Sequence, residues 1–111
     1  MANAILEATT HSDGDSARIE LRGDIDGSAR EALTAAYGDV GGARSVLLDF
    51  AQVDYINSTG IALIVGLLAR ARAEERAISA RGLSPHYREI FEITRLSDFM
   101  TIIADSEGDA A

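Results

Sequence analysis

The chain contains no cysteine, no lysine and no tryptophan, and only one proline. Each absence closes a line of chemistry. Without cysteine there is no disulfide, thiolate nucleophile or thiolate zinc knuckle. Without lysine there is no Schiff-base catalysis, no phosphate-binding P-loop and no lysine-assisted phosphoaspartate receiver, although Asp49 is placed plausibly for one at a strand end. All ten basic residues are arginine, set against 18 acidic ones for a net charge of -8. A chain so acidic gains nothing from counterion release at a nucleic-acid backbone, which excludes duplex or RNA binding. The longest apolar run, Ile61 to Ala69, is about half of the ~20 residues a bilayer span needs, so no membrane insertion is expected. Met1 to Thr9 lacks the positive start and apolar run of a signal peptide, which points to the reducing cytoplasm.

What is present suffices for one domain. The chain has 111 residues, 47% of them hydrophobic, and 19 of those are alanine. The larger aliphatic and aromatic side chains can build one core without staples. The ordered part is expected over about residues 4–104, with an acidic, frayed tail at 105–111.

The hydrophobic pattern alternates strand and helix. Ile5 and Leu6 lead a short first strand, and His11 to Ser16 reads as a polar turn. Ile19, Leu21 and Gly23 then alternate with Arg18, Glu20 and Arg22, the period of a half-buried strand paired antiparallel with the first. From Gly27 the spacing becomes helical through Ala29, Leu33, Ala36 and Tyr37, until Gly38, Gly41 and Gly42 break it. Ser45 to Phe50 is nearly continuous in apolar residues and reads as a strand covered on both faces. A long helix is expected from Ser58 to about Glu75, a strand over Ala77 to Arg81, and a third helix opened by Ser84 as N-cap with Pro85 in the first turn. Tyr87, Ile90, Phe91 and Thr94 fall on its inward face. Thr101 to Ala104 could form a last edge strand. The order predicts an α/β fold with right-handed crossovers and a mainly parallel sheet.

The informative stretch is Asp54-Tyr55-Ile56-Asn57-Ser58-Thr59-Gly60, between the buried strand and the long helix. Loops at the carboxyl ends of strands are where ligands and chemistry gather in open α/β sheets. Ser58 and Thr59 sit where helix N–H groups are unpaired, so a phosphate attached there would be held by local geometry. Gly60 keeps the first turn uncrowded. The plainer reading makes Ser58 an N-cap only. Against it, Asn57, Ser58 and Thr59 offer three polar side chains where a cap needs one.

These residues resemble the signature of STAS domains, the sulfate-transporter and anti-sigma-factor-antagonist family. The resemblance rests on Val46-Leu47-Leu48-Asp49, on Val53 to Ile61, on the turn Gly23-Asp24-Ile25-Asp26, and on Gly82-Leu83-Ser84-Pro85 with Ile90 to Leu96. It covers roughly residues 4–104. It implies a four- to five-stranded mixed sheet with helices packed mainly on one side. In the antagonist branch, the serine matching Ser58 is phosphorylated by an anti-sigma factor that is also a serine kinase. The unphosphorylated form sequesters that partner and frees a sigma factor, and a serine phosphatase resets the switch. The chain would then be a substrate and binding module, not an enzyme, acting as a monomer or weak dimer with no cofactor and no metal. The expected partner surface joins Asp24, Asp26, Asp54, Asn57, Ser58, Thr59 and Gly60. Asp26 is expected to serve that surface without carrying the fold, and Thr59 to point toward helix packing. One departure stands out, since the family's aspartate before the serine is Asn57 here.

Rival readings use the same residues. A nucleophile elbow shares the strand, turn, serine, helix layout, but Ile56 stands where its first glycine should be. His86, offered as base with Asp98 behind it, lies in a helix's first turn and needs no role beyond exposure, and His11 lies in a polar stretch. Asp24 and Asp26 are better explained by turn chemistry than as metal ligands. Glu74 and Glu75 read as a solvated helix face paired with Arg70, Arg72 and Arg76. Within the family, the alternative is a non-switching scaffold subunit of a stress-signalling or lipid-transport complex, where the serine loop is only a docking surface.

Overall fold

The two strands that open the domain, β1 (Glu7–Asp13) and β2 (Ser16–Ile25), form an antiparallel hairpin in register from Glu7↔Arg22 to Asp13↔Ser16. The computed structural model describes residues 5–103, so the expectations for Ala104, for the tail and for the first four residues fall outside it. β2 shows the predicted alternation, with Ala17, Ile19, Leu21, Gly23 and Ile25 buried. The first strand differs from expectation, because it follows Ile5 and Leu6 and runs through His11 to Asp13. Its polar sequence looked like a turn. The ladder to β2 holds it instead, with His11 beside Glu20 (3.1 Å) and Thr10 donating to the Ala36 carbonyl (2.7 Å). The turn is confined to Gly14 and Asp15, and Gly14 takes the φ of +64° that favours glycine.

A single 3-10 turn (Gly27–Ala29) runs into α1 (Arg30–Gly38), then β3 (Ser45–Ile56), α2 (Ser58–Ala73), β4 (Ala77–Arg81), α3 (Pro85–Ile93), a second 3-10 turn (Leu96–Asp98) and β5 (Thr101–Ile102). The strands stand in the order β1-β2-β3-β4-β5, with every pair after the hairpin parallel. Three crossovers between adjacent parallel strands all step in one direction, and the right-handed rule then places α1, α2 and α3 on one face. Against that face lie Ile19, Leu21, Val46, Leu48, Phe50, Ile78 and Ala80, covered by Leu33 and Tyr37 of α1, Ile64 and Leu68 of α2, and Phe91 of α3. Phe50 and Phe91 meet edge to face at 5.8 Å, a geometry worth about 1 kcal/mol beyond the area it buries.

Among the described residues, no helix lies on the opposite face of the sheet. β3 was therefore misread as covered on both sides: Val46, Leu48 and Phe50 are buried, whereas Leu47 and Asp49 are only half-buried. Thr94 is a second correction, being exposed with its hydroxyl folded back onto the Ile90 carbonyl (2.7 Å). α2 stops at Ala73, short of Glu75, which turns left-handed at φ 59°. Glu74 there is more than a solvated face. It accepts from the Tyr37 hydroxyl (2.8 Å) and from Arg70 (3.2 Å), tying α1 to the end of α2. Those donors, the Tyr37 hydroxyl first, hold its carboxyl below the usual range.

Candidate functional site

Because β2 and β3 are parallel and, after two register shifts, pair at Asp24↔Tyr55 and Ile25↔Ile56, both end together. Everything that follows them starts from the same end of the sheet. Asp24 and Asp26 come from β2 and the residue after it, Asp54 from β3, and Asn57 to Gly60 from the start of α2. The structure thus places the seven residues singled out in the sequence at one end of the sheet.

Their individual roles are sharper than the sequence allowed. Asn57, not Ser58, caps α2: its backbone is extended and its Oδ1 accepts from the Gly60 N–H at 2.8 Å. The Asn57 N–H donates to the Ile25 carbonyl (3.2 Å), fastening the cap to the end of β2. Ser58 is therefore the first helical residue, exposed, and its hydroxyl bonds to no other described residue. The plain N-cap reading of Ser58 fails because its neighbour already does that work. An asparagine suits the position as well as aspartate does, since either supplies the accepting oxygen.

Thr59 faces the neighbouring helix without being buried against it. It is exposed, and with Arg30, Leu33, Thr34, Leu63 and Arg70 it lines a groove of about 250 Å³ between α1 and α2. Ser58 stands outside that groove. Gly60 is buried hard against β2: a Cβ built on it would lie far inside van der Waals contact distance of the Ile25 carbonyl oxygen. Tyr55 and Ile56 part company, as Ile56 is 5% exposed and Tyr55 is 52% exposed. The two residues before the cap thus give one buried side chain and one aromatic ring in solvent.

Asp26 caps the 3-10 turn, its Oδ1 accepting from the Ser28 hydroxyl (2.6 Å) and the Ser28 N–H (2.9 Å). The hydroxyl and then the amide hold its carboxyl below its ordinary value of 3.8. It carries part of the fold, contrary to expectation. Asp26→Ala is accordingly expected to lower the thermal midpoint by several degrees. A carboxyl depressed in the folded state stabilises fully above its unfolded pKa and ceases to do so as pH falls through the lower folded value. The gap between wild type and variant should therefore be full at pH 6 and close below pH 3.8. Melting curves across that range check it, and a gap that persists undiminished in acid would show that the carboxylate is not the cap. Asp24 is half-buried and Asp54 exposed, and neither carboxylate bonds to another described residue. No cluster of three His, Asp or Glu side chains able to hold a metal ion occurs among the described residues.

This geometry can be set beside known proteins. A family model described as "Mlab, STAS domain" matches residues 8–103. The chain belongs to the STAS domain family. It is 33% identical over 81 residues to BtrV of Bordetella bronchiseptica, a match covering 73% of this chain and 69% of that one. It is 32% identical over 77 residues to the anti-sigma-B factor antagonist of Staphylococcus aureus, covering 69% of each. Among solved structures, the anti-sigma factor antagonist SpoIIAA in its unphosphorylated form superimposes with a TM-score of 0.69 at 18% identity, over 95% of this chain and 93% of that one. The Bacillus cell-fate determinant SpoIIAA in its phosphorylated form gives 0.68 at 20% identity, over 93% and 96%. At those identities the likeness carries the fold: a five-stranded mixed sheet with three helices, the STAS architecture. No helix among the described residues is long and apolar enough to cross a membrane.

The hydrolase reading loses its remaining ground here. His86 is exposed, its nearest described ring partner is Tyr87 at 4.9 Å, and Asp98 bonds to Arg95 (2.9 Å). The sequence missed one contributor to the site altogether. Tyr87 of α3 was assigned to the core, yet its hydroxyl accepts the Ile56 N–H at 2.9 Å.

Proposed function

We propose that this STAS domain is an anti-sigma factor antagonist whose binding is switched by phosphorylation of Ser58. One observation carries the reading. Ser58 heads α2 with an exposed and uncommitted hydroxyl, because Asn57 has taken over the cap. A serine needed only for structure would be bonded. The S. aureus relative named an anti-sigma-B factor antagonist supports the class of partner.

In this reading the unphosphorylated domain sequesters an anti-sigma factor that is also a serine kinase, and so releases a sigma factor for transcription in the bacterial cytoplasm. Phosphorylation of Ser58 ends the complex, and a serine phosphatase restores it. The domain supplies a substrate hydroxyl and a docking surface and catalyses nothing itself. That surface comprises Asp24, Asp26, Asp54, Asn57, Ser58, Thr59 and Gly60, and its acidic side chains suit a basic partner face.

Asn57 is the observation that favours a non-switching scaffold, since the amide removes a charge the family usually places next to the serine. The capping geometry answers it in part, because the position's structural duty is met without the charge. The two readings separate in one experiment. After incubation with the cognate kinase and ATP, intact-mass and fragment spectra should show a single phosphate on Ser58 and none on Thr59, which lies in the α1–α2 groove. A phosphate on Thr59 would reassign the acceptor. No phosphate at all would leave the scaffold reading in possession.

A further inference from the structure

β3 outruns its neighbour. β4 pairs with it only from Ser45↔Ala77 to Asp49↔Arg81, so among the described residues no strand lies beside that edge of β3 from Phe50 to Ile56. A buried backbone N–H left without an acceptor costs about 1–3 kcal/mol, and Ile56 is buried. Side chains stand in for the missing strand. Asp49 Oδ1 accepts from the Ala51 N–H at 3.0 Å, and the Tyr87 hydroxyl accepts from the Ile56 N–H at 2.9 Å. Tyr87 is delivered there by the first turn of α3, which Ser84 caps through the Tyr87 N–H (3.2 Å) and Pro85 pre-shapes.

The segment before Ser58 is thereby fastened on both sides. On one, Asn57 bonds to the Ile25 carbonyl; on the other, Ile56 bonds to Tyr87; within the helix, Asn57 holds Gly60. Only Tyr87 comes from beyond α2 in the chain. We propose that Tyr87 is a positioning residue for Ser58: its hydroxyl fixes the last residues of β3, so that the acceptor serine is presented in one backbone geometry and α3 is coupled to the acceptor loop. This rests on Ser58 being the phosphoacceptor. It adds a residue some thirty positions away whose single oxygen atom governs how well that serine is used.

Tyr87→Phe removes the oxygen and keeps the ring against His86. In the variant, the Ile56 amide should exchange with solvent at least tenfold faster, while the amides of Val46 and Leu48, in the same strand but paired on both sides, keep their wild-type rates. Phosphorylation of Ser58 by the cognate kinase should fall about tenfold in kcat, with KM within twofold, since docking is retained and alignment is lost. Ser84→Ala, which loosens the first turn of α3 without touching the oxygen, should move both readouts in the same direction by less. Unchanged Ile56 exchange in Tyr87→Phe overturns the proposal. So does faster exchange with unaltered phosphorylation kinetics, which would leave Tyr87 as a brace only. Equal acceleration at Val46 and Leu48 would mean global loosening and also overturns it. Failure of the wild-type domain to accept phosphate defeats the proposed function itself, and is told apart by its appearing without any substitution at Tyr87.

Discussion

Ser58→Asp should lose at least a hundredfold in affinity for the anti-sigma factor, while Ser58→Ala binds as wild type does. Phosphate adds about -1.5 to -2 charges, and aspartate reproduces one of them. The domain can hold such a charge. At the first position of α2 the N–H groups of Ser58 and Thr59 have no intrahelical acceptor, and the positive end of the helix dipole lies beneath them. The partner cannot hold it so easily. The partner closes over a neutral hydroxyl at Ser58, and however basic the rest of its face, the added bulk and a charge left unpaired and desolvated at that point cost several kcal/mol. About 3 kcal/mol is already more than a hundredfold in Kd. Both variants should keep the wild-type far-UV spectrum and thermal midpoint within a few degrees. Binding by Ser58→Asp within threefold of wild type, or its unfolding, would sink the charge switch and move the scaffold reading ahead.

The second large effect concerns Gly60, and here the fold itself is at stake. Its Cα faces the Ile25 carbonyl so closely that the first added carbon meets backbone, which cannot swing aside as a side chain would. α2 must lift off the end of β2 to make room. Overpacking of this kind costs about 3 kcal/mol or more, so Gly60→Ala should lose upwards of about 10 °C in thermal midpoint. Gly66, further along, provides the opposite sign on the same helix. A Cβ there meets nothing within 4 Å, and replacing a helix-interior glycine by alanine gains about 0.5–1 kcal/mol. Gly66→Ala should therefore melt a few degrees higher than wild type. If Gly60→Ala melted within 2–3 °C of wild type, as helix propensity alone would allow, the close approach of α2 to β2 would be wrong.

Much of this was legible in the residues. β2, α1 and α3 announced themselves through period-two or period-3.6 patterns, α2 and β4 fall close to their expected ranges, and the Ser84 cap with Pro85 marked the start of α3 to the residue. The first strand did not, because Glu7 to Asp13 carries no apolar stripe. Its place is fixed by the ladder to β2, an interaction between segments that no local window contains. β3 misled in the other direction. A run such as Val46-Leu47-Leu48 reads as two covered faces, whereas Leu47 rests half-buried on the open one. At the site, the residue types located the place and left the division of labour open. Asn57 and Ser58 are both competent caps in the sequence, and only the geometry of the turn decides which oxygen reaches the Gly60 N–H. Tyr87 was hidden for a related reason. A tyrosine on the inward face of an amphipathic helix looks like core, and nothing local reveals that its hydroxyl meets a strand end that β4 is too short to cover.

The strands lie side by side in the order in which they leave the ribosome. No strand has to enter between two others already paired, and each loop to be closed spans one helix at most. Such locality keeps the entropy of each closure small and favours fast folding for a sheet of this size. It also means that assembly can advance from the hairpin as the chain lengthens, with one unpaired edge carried forward at every stage. When synthesis has reached Ile56, the edge of β3 is the growing front, twelve residues long. Ser45 to Asp49 stay open to other chains until β4 arrives, and the end of the strand until α3 brings Tyr87 to Ile56, which makes that interval vulnerable to aggregation.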